Sequence, residues 1–113
     1  MFRFRYTTRL SIFAFLSVGT AVFANPIRWG PTLERYCFDC HDSDSAKGGI
    51  DLEVALGHPL ADQSELWEKS ARQLQMRLMP PIKKERPSET DYVSLASEME
   101  TALDAQAAAH PNP

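Results

Sequence analysis

The sequence predicts a small, mostly α domain of about three helices, joined by long loops marked by glycine and proline. Three observations carry that expectation. Trp67, Ala71, Leu74 and Leu78 fall at i, i+4, i+7 and i+11, and Tyr92, Ala96, Met99 and Leu103 repeat the spacing, each set forming one face of a helix. Gly48-Gly49, Gly57-His58-Pro59 and Pro80-Pro81 break the chain between such stretches. With 113 residues the chain has room for one small domain.

The first segment reads as an export leader, expected over residues 1–24. Arg3, Arg5 and Arg9 stand in a start without acids, an apolar run follows to Ala21, and Val22-Phe23-Ala24 offers small or modest side chains before Asn25. The uncharged stretch from Leu10 to Ala24 is about 15 residues, short of the ~20 that span a bilayer. An uncleaved anchor is the competing reading. Cleavage after Ala24 leaves residues 25–113 as the domain and takes the formal charge from −3 to −6, because the leader's three charges are all arginines. An acidic chain of this kind has no surface for neutralising a run of phosphates, which excludes ordinary nucleic-acid binding. After cleavage no membrane span is expected. The expected location is periplasmic or otherwise outside the cytoplasm.

Residues 25–31 read as an opening loop, followed by a helix over Thr32 to Cys37 with Thr32 as its cap. Asp42 to Gly49 is a loop. Ile50, Leu52, Val54 and Leu56 alternate with Asp51, Glu53 and Ala55, which suits a short extended segment, although one helical turn fits too. Asp62 with Glu65 resembles a capping box opening the next helix, which Met79-Pro80-Pro81 ends. Ser88 with Asp91 opens the last helix. A frayed tail is expected from about residue 107.

Cys37-Phe38-Asp39-Cys40-His41 is a CxxCH sequence, the pattern of c-type haem attachment. Two thiols at this spacing reach the two vinyl groups of one porphyrin, and the adjoining imidazole is placed to meet the iron. Zinc would need two further ligands. The chain has no other cysteine, and His41, His58 and His110 are scattered. A thioredoxin-like site would need alternating strands and helices. A disulfide across two residues closes a very short loop and stabilises little. An export leader agrees with haem c, which is attached outside the cytoplasm. One haem c is therefore expected, on Cys37 and Cys40, with His41 as an iron ligand.

For the second axial ligand, a thioether suits an electron carrier. Met99 sits on the apolar stripe of the last helix and reads as core. Met76 lies on the opposite side of its helix from Trp67. Met79 follows that helix on a loop stiffened by two prolines, which favours it as the ligand. The alternatives are an open iron, with Met79 only an apolar contact, or His58 from its Gly-His-Pro turn. Leu52, Trp67, Leu74, Leu78 and Tyr92 are candidate pocket lining, with ordinary core as the competing reading for Trp67 and Tyr92.

Taken in order, Tyr36-Cys37-Phe38-Asp39-Cys40-His41, Lys47-Gly48-Gly49-Ile50-Asp51-Leu52, Leu66-Trp67-Glu68-Lys69, Met79-Pro80-Pro81 and Arg86-Pro87-Ser88 resemble the planctomycete-type cytochrome c module. The resemblance runs from about Arg35 to Ala105. It implies a small class-I-like cytochrome c fold around a covalent haem, with thioethers on Cys37 and Cys40, His41 proximal and Met79 distal. Such modules often carry a tryptophan in the last helix, where this chain has Ser97-Glu98-Met99-Glu100. They commonly front longer multidomain proteins, whose activities are not carried over here.

The expected function is an exported monohaem electron carrier with no catalytic residues, serving redox partner proteins. Lys83, Lys84 and Arg86 form a basic run after Met79 that could dock such a partner, against the alternative of a solvated charge run. The rival function is a small haem enzyme or sensor with an open or labile distal position, meeting peroxide or a diatomic gas.

Overall fold

The computed structural model describes residues 28–111, and the leader expected over 1–24 lies outside them. The described chain is helical, with no strand: α1 (Gly30–Tyr36), α2 (Phe38–His41), α3 (Leu52–Leu56), α4 (Ser64–Gln75) and α5 (Glu89–Ala109), plus 3₁₀ turns at Lys47–Gly49 and Leu60–Gln63. The mostly α expectation holds. The two helices beyond the expected three are α2 and α3, of four and five residues. Neither is long enough to show a helical repeat in sequence.

α1 begins before Thr32, because Pro31 occupies the first turn and the Trp29 carbonyl accepts from the N–H groups of Thr32 at 3.1 Å and Leu33 at 3.0 Å. Cys37 ends α1 and caps the start of α2, so the first thiol stands at the elbow between them. The segment read as extended contains α3 instead. The Asp51 carboxylate accepts from Val54 N–H at 2.9 Å and starts the turn. The helix buries Leu52 and Ala55, three apart, and leaves Val54 exposed, whereas a strand would set Leu52 and Val54 on one side.

Both ends of α4 differ from expectation. Asp62 lies in the 3₁₀ turn rather than at a cap, and no side chain caps Ser64. At the other end the helix stops at Gln75, before the prolines. Leu78 N–H reaches the Gln73 carbonyl at 3.0 Å and Arg77 N–H the Leu74 carbonyl at 3.1 Å, with Arg77 left-handed at φ 57°. This is a Schellman closure with arginine where glycine is usual. The backbone costs about 1–2 kcal/mol there. The Arg77 side chain offsets it by donating to the Leu74 carbonyl at 2.6 Å and the Gln75 carbonyl at 3.1 Å and by pairing with both carboxylate oxygens of Glu89. Leu78, expected on the buried stripe, is exposed as a result.

α5 opens as expected. Ser88 Oγ accepts from Asp91 N–H at 3.1 Å, a cap of about 1 kcal/mol. Tyr92, Ala96, Met99 and Leu103 are buried, joined by Leu95, and the helix runs to Ala109, past the expected start of fraying. α4 packs along α5. The core holds one contact that the periodicity did not indicate: Trp29 stacks on Trp67, with ring centroids 5.4 Å apart and planes at 25°. Among the described residues no helix is long and apolar enough to cross a membrane.

Candidate functional site

A cavity of about 540 Å³ opens between α1–α2, the 47–52 segment, α4 and the loop after it. Cys37, Cys40, His41 and Met79 all line it. Residues 42 apart in sequence are thus brought to one space by the turn at Arg77, which sends the chain back over α2. Leu33, Ile50, Leu52, Leu74 and Met99 supply apolar wall. Of the lining residues expected from sequence, Leu52 and Leu74 are there. Trp67 and Tyr92 are core, and Leu78 faces solvent. Met99 is core, as expected, and also touches the cavity. Met76 is exposed, as are His58 and His110, and none of the three lines the cavity.

His41 is oriented by the Lys47-Gly48-Gly49 turn. Gly48 at φ 67° and Gly49 at φ 72° adopt a conformation that side chains disfavour, and the turn carries the Ile50 carbonyl to 3.2 Å from His41 Nδ1. A carbonyl only accepts, so Nδ1 carries the proton and Nε2 keeps its lone pair for a metal. Burial, and then the neighbouring Cys40 thiol, push the Cys37 thiol up to about 11, so it is a neutral thiol in the wall. Both cysteines are free. Among the described residues no three His, Cys, Asp or Glu side chains converge as a metal site, which leaves the zinc reading without ligands.

The Met79 backbone is fastened while its residue stays 40% exposed. The Tyr92 hydroxyl donates to the Met79 carbonyl at 3.0 Å and accepts from Arg86 Nε at 3.0 Å. The loop beyond is pinned to the motif by the Lys84–Asp39 ion pair at 2.9 Å and to α1 by Arg35–Glu85 at 2.6 Å. The hydrogen bond and charge of Lys84 hold the Asp39 carboxyl below its ordinary range. The run expected as a docking surface is therefore divided. Arg86 turns inward, Lys84 is paired, and Lys83 makes no ion pair among the described residues. Lys47 and Lys69, which no motif or periodicity marks as rim residues, share the cavity rim with Lys83 and Lys84, and Asp39 is the one acid there among the described residues.

These residues fit a haem. The volume falls within the roughly 300–1,000 Å³ of cofactor pockets. The wall offers two thiols at CxxC spacing, an imidazole with Nε2 available, a thioether and an apolar lining. Residues 37–83 match the family model described as Planctomycete cytochrome C. This segment is a planctomycete-type cytochrome c module. The match begins at the first thiol of the cavity and ends at Lys83 on its rim. No curated protein and no solved structure gives a significant match. Over this segment the chain is similar to c-type cytochromes, a family that implies haem c and an electron-transfer role.

Proposed function

We propose that the protein is an exported one-electron carrier, with one haem c bound through Cys37 and Cys40 and its iron held between His41 and Met79. The observation that carries this reading is the convergence of all four side chains on one cavity. The haem supplies an iron that changes valence by one electron. His41, its Nδ1 tied to the Ile50 carbonyl, offers Nε2 in a fixed direction. Met79 offers its sulfur from a loop anchored at both sides. The apolar wall keeps water away and favours the less charged, reduced state. With both residues bound, such an iron would have no position left for a substrate. The leader-like pattern of residues 1–24, with its arginines, apolar run and small-residue exit, supports a periplasmic or other exported location.

The test is spectroscopic. The ferric holoprotein should show the weak red band typical of Met–Fe(III), and the ferrous form should bind carbon monoxide slowly. A missing band with rapid carbon monoxide binding at neutral pH would instead establish the open-iron enzyme or sensor.

Redox partners would meet the cavity rim. Of the cations expected there, Lys83 remains available and Lys84 is half exposed beside Asp39, while Lys47 and Lys69 add to them. A basic rim on an acidic protein suits an acidic patch on the partner. Reversing Lys69 and Lys83 to glutamate should slow electron transfer to such a partner and flatten its salt dependence, measured by stopped flow over a salt series. Unchanged rates would remove this surface from the account.

A further inference from the structure

We propose that Arg86 and Tyr92 are positioning residues for the iron ligand: together they hold the segment Arg77-Leu78-Met79 at both ends and keep the Met79 thioether at the cavity. The inference rests on the reading of Met79 as the distal ligand. Arg86 donates directly to the Arg77 carbonyl at 2.7 Å and, through its Nε, to the Tyr92 hydroxyl at 3.0 Å. That hydroxyl passes the restraint on by donating to the Met79 carbonyl at 3.0 Å. One guanidinium thus fixes two carbonyls two residues apart.

The surroundings make the device rigid. Tyr92 is 3% exposed and sits in the first turns of α5, the longest helix, so its hydroxyl cannot follow a moving loop. The Arg77 guanidinium lies 4.6 Å from the Tyr92 ring centroid and that of Arg86 5.7 Å, so two cations lie against the ring. Arg86 and Tyr92 are absent from the cavity wall, so they act on the ligand only through the backbone. The need for such a restraint is local. Leu78 is exposed and Met79 is 40% exposed, so little apolar packing fixes this stretch. A thioether is a weak iron ligand, and its occupancy falls when its loop is free to leave.

The full-length holoprotein with covalent haem is compared with Tyr92→Phe and Arg86→Gln. Tyr92→Phe keeps the ring and removes the bond to Met79. Haem content and helical circular dichroism should be unchanged. The Met–Fe(III) band should bleach at a lower temperature than helicity is lost, and carbon monoxide should bind the ferrous form about fivefold faster, the shift expected from one hydrogen bond. Arg86→Gln should move both readouts the same way, and should add little in the Tyr92→Phe background.

Unchanged band and binding rate in both variants, with the band present in the native protein, would overturn the positioning role and leave Met79 ligation standing. Band and helicity lost together in both variants would reduce the pair to a structural role and overturn it too. If Tyr92→Phe alone fails to fold, Arg86→Gln decides by the same readouts. A native protein with no band would overturn Met79 ligation, and this inference with it.

Discussion

Replacing both Cys37 and Cys40 by alanine is expected to take covalent haem from one per chain to none. The two thiols stand at the α1–α2 elbow and one turn further on, both at the cavity, and the chain has no other cysteine to substitute for them. His41 and Met79 would remain, so haem could still be held reversibly. Without the tether, its local concentration is no longer fixed by the chain. The consequence extends to the fold. A cavity of about 540 Å³ is large for a domain of this size, and its walls use Leu33 and Met99, two of the most deeply buried side chains. Binding of a group to the native state alone stabilises by mass action, and about 4 kcal/mol accompanies a thousandfold excess over the dissociation constant. The double variant should therefore release any bound haem on acid-acetone extraction and should melt well below the native holoprotein by circular dichroism. Covalent haem retained in the variant would contradict the assignment.

The largest effect away from the cavity is expected at Trp67. Its side chain is 1% exposed and stacks on Trp29, so truncation to alanine removes both the burial of a large ring and an aromatic pair. Such truncations cost about 3–5 kcal/mol, against a total stability of about 5–15 kcal/mol for a small domain. Trp67→Ala should therefore unfold in denaturant at a much lower midpoint. Trp67→Phe, which keeps part of the stack, should lie between. Trp67 does not line the cavity, so native-like unfolding of Trp67→Ala would mean that haem contacts, rather than the Trp29–Trp67 core, hold the helices together.

The legible parts of the sequence were those with a repeated pattern or a fixed spacing. α4 and α5 announced themselves through four-residue stripes, and Ser88 through its capping sequence. CxxCH was readable because its chemistry requires that spacing within five consecutive residues. The parts that were not legible depend on contacts between distant residues or on very short elements. α3 has five residues, too few to separate alternation from a helical turn, and only the Asp51 cap decides it. The end of α4 is hidden in the sequence because the prolines are the visible breaker, whereas Arg77 reverses the chain first, in a conformation that an arginine does not advertise. Arg86 looked like one more surface cation in a basic loop. Its bonds to the Arg77 carbonyl and Tyr92 exist only once α5 has packed beside the loop. Trp29 stood in a stretch without periodicity, and its partner lies 38 residues away.

The central claim is that Cys37 and Cys40 carry haem covalently. The most direct measurement is the alkaline pyridine haemochrome spectrum of the purified protein after acid-acetone extraction. The account predicts a c-type spectrum that survives extraction, at one haem per chain. A protein fraction with no haem after extraction, and Cys37 and Cys40 joined as a disulfide, would contradict it.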